Sequence, residues 1–260
     1  MAHNLKQKID RGEILIGGAV NIFSPPLVEA YCAAGADFIM PCLEHSLKDY
    51  SALQTAIITA DLHGVPSIVR PGDISPNMIG RLLDAGAAGI IFPEVHDAAE
   101  AAEYVSWCRY KPGGIRALGY NRSWTSGEAN DPAQRAKEND EVVCIMVVED
   151  MAGARNIEEI LAVDGVAGIA IGPGDMALEI GATSWDDPRL QALLTDLAAK
   201  VRAVPGKALM RFTLTDEQAA DNALSGANVL TIHHDVILIR NMYSKLISGF
   251  RSSAEGALKV

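Results

Sequence analysis

The feature that most constrains the fold is an alternation running the length of the chain, in which short runs rich in Val, Ile and Met are separated by longer amphipathic stretches. Short apolar runs bounded by turn residues read as buried strands, and stretches with apolar residues three and four apart read as helices. Their regular succession generates a parallel sheet with crossover helices. The runs predict strands near 14–20, 37–42, 67–70, 89–93, 143–149, 167–172, 207–213 and 228–233. Eight such strands predict a closed (β/α)₈ TIM barrel, and 260 residues is the usual length of one, so a single barrel domain over 1–260 is expected. An open doubly wound sheet would call for a nucleotide-binding glycine loop after an early strand. Gly172-Pro173-Gly174 lacks that motif's third glycine and downstream acid.

Local signals agree with this reading. Ser24-Pro25-Pro26 and Ser75-Pro76 open helices, and Gly35, Gly86 and Gly226 close others directly before strands. The longest interruption, 109–140, carries Pro112, Gly113, Gly114, Gly119 and Gly127, and long connections of this kind often bear function.

With 49% apolar and 21% charged residues the chain has the composition of a globular domain with a substantial core. A net charge of −11 argues against nucleic acid as a partner, because phosphate backbones are held by clustered Lys and Arg. It leaves room for a small anion held by one or two local arginines. Cys32, Cys42, Cys108 and Cys144 show no CxxC or zinc-type spacing, which suits reduced thiols and a cytoplasmic location. No apolar run has the length of a membrane span, and the first twelve residues lack the apolar core of a signal peptide, so neither is expected.

Barrel enzymes place their chemistry at the carboxyl ends of the strands. There the sequence offers Glu44-His45, Arg70, Glu94, Glu149-Asp150, Asp175 and His233-His234-Asp235. Glu149 and Asp175 end consecutive strands, and two hard oxygen ligands on one rim suit Mg²⁺ or Mn²⁺. By spacing alone they serve equally as a helix cap and a loop acceptor. Arg70 fits a carboxylate clamp or an ion pair with Glu44 or Glu149. His45 fits an acid–base role or an ordinary surface histidine. Adjacent strand residues face opposite sides, which favours a structural role for His233, His234 and Asp235. Arg116 is read as fixing the long loop.

Taken in order, Glu44-His45, Arg70, "LLDAG" ending at Gly86, "RYKPGGIRALG" ending at Gly119, Glu149 and "GVAGIAIGPGDMA" ending at Ala177 resemble the HpcH/HpaI family of metal-dependent class II pyruvate aldolases. The resemblance covers nearly the whole chain. It implies a barrel of the phosphoenolpyruvate/pyruvate type assembled as a homo-trimer or homo-hexamer, with the last helix (about 236–255) packed on a neighbouring subunit. It implies Glu149 and Asp175 as ligands of a divalent cation, Mg²⁺ or Mn²⁺ first and Co²⁺ or Zn²⁺ after. His45, Arg70 and Asp84 become catalytic residues, and Arg70, Gly172, Pro173, Gly174 and Phe212 contact substrate. The implied reaction joins or cleaves a 4-hydroxy-2-oxo acid through a pyruvate enolate, with a 2-oxo acid and an aldehyde as partners. A decarboxylase or CoA-thioester lyase on the same scaffold, or a non-catalytic 2-oxo-acid binder, are the alternatives. The chain departs from the family at Cys42, where an aspartate is usual, at Val147, where a glutamine is common, and at Arg211-Phe212, which replace a small and aliphatic surface. These changes point to altered proton handling and an altered acceptor pocket.

Overall fold

The computed structural model describes residues 4–45, 49–119, 121–122 and 131–258; Gly127 of the long connection lies outside them. The strands are β1 Leu15–Val20, β2 Phe38–Pro41, β3 Ile68–Val69, β4 Gly89–Phe92, β5 Val143–Val148, β6 Val166–Ile171, β7 Ala208–Thr213 and β8 Val229–Ile232. Each lies where an apolar run predicts it. The described helices are α1 Leu5–Asp10, α2 Pro25–Ala33, α3 Tyr50–Leu62, α4 Pro76–Asp84, α5 Ala98–Cys108, α6 Pro132–Glu141, α7 Met151–Ala162, α8 Pro173–Glu179, α9 Pro188–Arg202, α10 Asp216–Leu224 and α11 Asp235–Ala257.

All strand pairings are parallel, in the order β2-β1-β8-β7-β6-β5-β4-β3. Parallel bridges Ile39↔Ser67 and Cys42↔Arg70 join the two ends, so the sheet closes into the expected (β/α)₈ barrel. Alternation along each strand sorts side chains into two cores. Leu15, Ala19, Phe38, Met40, Cys42, Ile68, Ile145, Val147, Ala170 and Met210 fill the barrel interior. A second core, including Val69, Phe92, Met146, Val148, Ile157, Ile169 and Leu197, packs helices on the outside. The interior is thereby plugged, so within the barrel itself polar side chains become accessible at the ends of the strands.

Caps fix where those ends turn into helices. Ser75 Oγ accepts from Met78 N at 3.3 Å, Asp97 Oδ1 from Ala99 N at 2.8 Å and Glu100 N at 2.9 Å, and Asp150 Oδ1 from Gly153 N at 2.7 Å. Asp235 does the same for β1 and α11. It is 1% exposed, and its Oδ2 accepts from the amides of Asn21 and Ile22, both at 2.9 Å, while Oδ1 accepts from Val236 N at 2.7 Å. Asp235 thus ties the carboxyl end of β1 to that of β8. Removing a buried acceptor of three amides leaves those donors unsatisfied, so Asp235→Ala is expected to lower stability by about 2–4 kcal/mol. Denaturant unfolding monitored by circular dichroism measures this, and a change within about 0.5 kcal/mol would contradict the assigned role.

Two features frame the site. No described helix is long and apolar enough to cross a membrane. Helix α11 has only Asp235 buried, and Met242, Tyr243, Leu246, Ile247 and Phe250 stand in solvent on this single chain.

Candidate active site

Glu149 follows directly on β5 and points into the mouth of the barrel, where it is 8% exposed. The helix-cap alternative fails because Asp150, not Glu149, caps α7. Glu149 Oε1 instead accepts a hydrogen bond from Glu94 N at 2.9 Å. Glu94 adopts φ = 52°, a left-handed conformation that costs a side-chain-bearing residue energy, and this turns its amide toward the carboxylate. On the other side stands Gly172. A Cβ built there would meet Glu149 Oε2 at 2.8 Å, so only glycine lets β6 end this close to the carboxylate.

Burial is the main force acting on Glu149, and it pushes the carboxyl from its ordinary 4.5 up to about 7. The Glu94 amide opposes the shift, repulsion from Glu44 adds to it, Arg70 opposes it and Asp175 adds to it. Glu44, Arg70, Glu149 and Asp175 therefore share one electrostatic environment, three carboxylates against one guanidinium. A carboxyl with a raised folded-state pKa holds its proton more tightly in the folded protein. The metal-free protein is accordingly expected to be most stable below pH 4.5 as far as Glu149 is concerned, and to lose roughly 3 kcal/mol as pH rises to about 7. Urea midpoints at pH 5 and pH 8 in EDTA measure this; a loss of the same size in Glu149→Gln would assign it to other groups.

Asp175 stands in the first turn of α8 and is exposed. Its carboxylate accepts no hydrogen bond among the described residues, so the loop-acceptor alternative does not hold either. Pro173 occupies the first position of α8 and Gly172 its cap, which brings the start of the helix beside Glu149.

Arg70 follows β3, is 8% exposed, and pairs through Nη2 with Glu44 Oε2. Its Nε is buried without a hydrogen-bond partner. The Glu44 pair anticipated from sequence is present, and it leaves part of the guanidinium fork free for a ligand. His45 lies at the edge, 72% exposed at its side chain, with Nε2 3.8 Å from the same Glu44 oxygen. Glu44 thus stands beside both Arg70 and His45. Cys42 and Val147 belong to the packed interior one layer below.

Across the mouth, Phe212 packs toward the interior, with ring centroids 5.7 Å from His233 and 5.9 Å from His234. His234 Nδ1 contacts Asn21 Oδ1. Burial chiefly lowers the His234 pKa, and His233, Arg70 and His45 lower it further against Asp235. His234 therefore shares the mouth with Arg70 and His45, a placement that strand alternation did not disclose because the residue follows the end of β8.

Asp84 stands apart from the rest. It ends α4, which leads into β4, and so lies at the amino-terminal end of the barrel, opposite the rim. There it accepts from Arg116 Nη2 at 2.6 Å. Arg116 is almost fully buried and sits 4.4 Å over the Tyr110 ring, which fits its reading as the residue fixing the long connection. Arg211 also departs from expectation. It faces outward between α9 and α10, so of the pair only Phe212 borders the mouth. Lys207 starts β7 at the far end and donates to Val166 O at 2.6 Å, and no lysine reaches the described rim.

The donor set at the mouth fits a divalent cation. It comprises a buried carboxylate whose charge lacks full compensation and, in the first turn of α8, a carboxylate without a hydrogen-bond donor among the described residues, both hard oxygen donors. No cluster of three or more ligating side chains forms among the described residues, so further positions around an ion here would be open to water or substrate.

Comparison with known proteins places this arrangement in context. A family model described as HpcH/HpaI aldolase/citrate lyase matches residues 19–240. A hydroxypyruvate/pyruvate aldolase of Roseovarius nubinhibens is 31% identical over 256 residues, covering 96% of this chain and 97% of the relative. A 2-keto-3-deoxy-L-rhamnonate aldolase of Escherichia coli is 25% identical, covering 98% and 96%. The crystal structure of an HpcH/HpaI aldolase from Desulfitobacterium hafniense superposes with a TM-score of 0.89 at 25% identity, covering 96% of this chain and 97% of that one.

Proposed function

The chain belongs to the HpcH/HpaI aldolase/citrate lyase family and is a carbon–carbon lyase, and from that premise we propose that it cleaves and forms 4-hydroxy-2-oxo acids, with pyruvate as the 2-oxo product. The observation that carries the proposal is the mouth itself: a buried Glu149 carboxyl feels the charges of Glu44, Arg70 and Asp175 together, so that carboxylates outnumber the guanidinium beside it. Glu149 and Asp175 would hold a divalent cation, Mg²⁺ or Mn²⁺ before Co²⁺ or Zn²⁺. Bound there, it would supply Lewis acidity toward the keto and carboxylate oxygens of the substrate.

The protein's own residues do the rest. The free side of the Arg70 fork binds the 2-oxo acid and stabilises negative charge as the enolate develops, with its own position fixed by Glu44. His45, at the solvent edge beside Glu44, takes the proton from the 4-hydroxyl as the C3–C4 bond breaks and its electron pair passes into the enolate; a solvent proton then taken up at C3 completes pyruvate, and condensation runs the same steps in reverse. Gly172 makes room for Glu149, and the Gly174 amide at the start of α8 faces the substrate carboxylate beside Pro173. Phe212 walls the side on which the aldehyde leaves. Asp84, at the other end of this chain's barrel, reaches such a site only by entering the mouth of a neighbouring subunit.

A homo-trimer or homo-hexamer follows from this reading. The apolar face of α11 is then covered by a neighbouring subunit, which would put about 236–255 outside the chain's own barrel domain. The four cysteines form no disulfide among the described residues, in keeping with a cytoplasmic location.

Release of pyruvate from 4-hydroxy-2-oxo acids of increasing chain length, measured by a coupled dehydrogenase assay with Mg²⁺ or Mn²⁺, tests the activity. No release with any chain length or cation would end the proposal. Phe212→Ala is expected to raise KM for the shorter substrates about tenfold while altering kcat little, because it removes wall contact distant from the reacting bond. A fall in kcat with KM unchanged would instead place Phe212 at the reacting atoms.

A further inference from the structure

The outer wall of the barrel carries a cation, Arg211, that no described residue neutralises. Arg211 on β7 points away from the interior into a groove of about 380 Å³ between α9 and α10. Leu194 and Ala198 of α9 and Leu224 of α10 contribute its apolar lining, and Arg202 and Asp221 stand at its edges. Arg211 is partly buried, and among the described residues its guanidinium has neither a hydrogen-bond acceptor nor an acidic partner. Burial alone lowers its pKa, with no neighbouring charge entering on either side. An arginine nevertheless stays charged, so the strand presents a partly desolvated guanidinium to the groove.

The other polar groups around it are already committed. Asn222 Nδ2 donates to Phe212 O at 3.2 Å and to Thr213 Oγ1 at 3.1 Å, Ser225 Oγ to Asn222 O at 2.7 Å, and Thr195 Oγ1 to Gln191 O at 2.8 Å. These bonds, with Gln191 Nε2 donating to Trp185 O at 2.7 Å, stiffen the walls, and the two arginines are the cationic donors that line the groove. Arg202 is laid across the turn that ends α10. Gly226 has φ = 99° there, and a Cβ on it would come within 2.8 Å of Arg202 Cδ, so the glycine is what allows the arginine to lie against the groove. Asp221 forms no ion pair among the described residues. Two guanidinium groups against one carboxylate leave the groove positive on a protein whose net charge is −11.

We propose that the groove between α9 and α10 is a binding site for a small oxyanion, a phosphate or carboxylate group, held by Arg211 at its base and Arg202 at its edge. The groove opens on the outside of the barrel and is separate from the mouth, so its ligand does not compete with the 2-oxo acid.

Thermal unfolding of the full-length protein, titrated with inorganic phosphate and in parallel with malonate at constant ionic strength, tests the site. Saturable stabilisation by phosphate, malonate or both is expected, and the pair distinguishes a tetrahedral from a planar ligand. It should persist in Arg70→Ala, which removes the arginine of the mouth, and weaken at least tenfold in Arg211→Met and in Arg202→Gln. Should Arg211→Met fail to fold, Arg202→Gln together with Asp221→Asn, expected to tighten binding a few-fold, decides the matter. The inference is overturned if neither anion saturates in the unsubstituted protein, if binding is unchanged in the Arg202 and Arg211 variants, or if it disappears in Arg70→Ala. It is also overturned if neither anion binds while Arg211→Met changes the oligomeric mass, because the groove would then hold a second copy of the chain.

Discussion

Arg70→Ala is expected to lower kcat/KM for cleavage about a thousandfold, near 4 kcal/mol of transition-state stabilisation, the cost typical of losing a preorganised group aimed at a developing oxyanion. Two effects combine at this position. The arginine is the cation positioned to stabilise an enolate, and it compensates Glu44 and Glu149, both largely desolvated. Removing it leaves two carboxylates facing each other, so the Glu149 carboxyl should rise further and ionise only at higher pH. Arg70→Lys should recover little activity. A lysine supplies the charge but not the planar fork with which Arg70 can pair with Glu44 and still present a free edge to substrate. Steady-state kinetics of both variants measure this. Recovery to within a few-fold of full activity by the lysine would show that a point charge suffices and that the fork does not matter.

Glu149→Gln is expected to have an effect of similar size on activity and the opposite sign on stability. The amide keeps the shape and can still accept from the Glu94 amide, but it supplies no negative charge to a cation, and cleavage should fall by about a thousandfold or more. At pH 8 in EDTA the same substitution removes a charge that the desolvated mouth disfavours, so the metal-free variant should be more stable than the unsubstituted protein by roughly 2–3 kcal/mol. Saturating Mg²⁺ or Mn²⁺ should stabilise the unsubstituted protein and not the variant. The crossing of the two stability curves on adding metal distinguishes a ligand carboxylate from a merely buried one. A variant less stable than the unsubstituted protein in EDTA at pH 8 would make Glu149 structural.

The sequence discloses the barrel because each strand is too short and too apolar to be anything but buried, and because glycines such as Gly86 and Gly226 mark where helices hand over to strands. Even β3, reduced to Ile68 and Val69, is legible from Arg70-Pro71-Gly72 behind it. The site is legible one residue at a time and ambiguous in its roles. Glu149 could have been a helix cap until Asp150 was found holding Gly153 N. Arg70 is legible as a partner of Glu44, and the pair leaves Nε of the guanidinium without a protein partner. One thing lies beyond reach: the Glu94 amide depends on a left-handed backbone at a residue with no sequence preference for it. The separation of Asp84 from the rim is legible, because Gly86 closes its helix directly before β4 and so puts it at the amino-terminal end of the barrel. The opposite orientations of Arg211 and Phe212 follow from strand alternation, which puts only Phe212 on the inner face of β7.

The substitutions at Cys42 and Val147 bear on proton transfer more than on binding. Both side chains belong to the packed interior beneath the rim, so the carboxylate beside His45 in this chain is Glu44, which Arg70 also engages. Proton handling by His45 is thereby coupled to whatever Arg70 binds.

The central claim is that Glu149, Asp175 and Arg70 together make the methyl protons of pyruvate labile. Exchange of those protons for deuterium, followed by mass spectrometry in deuterated buffer with no aldehyde present, tests it without any knowledge of the acceptor. Exchange is expected to require a divalent cation and to be lost in EDTA, in Glu149→Gln and in Arg70→Ala. Absence of exchange with Mg²⁺, Mn²⁺, Co²⁺ and Zn²⁺ alike, or exchange that survives Glu149→Gln, would contradict it.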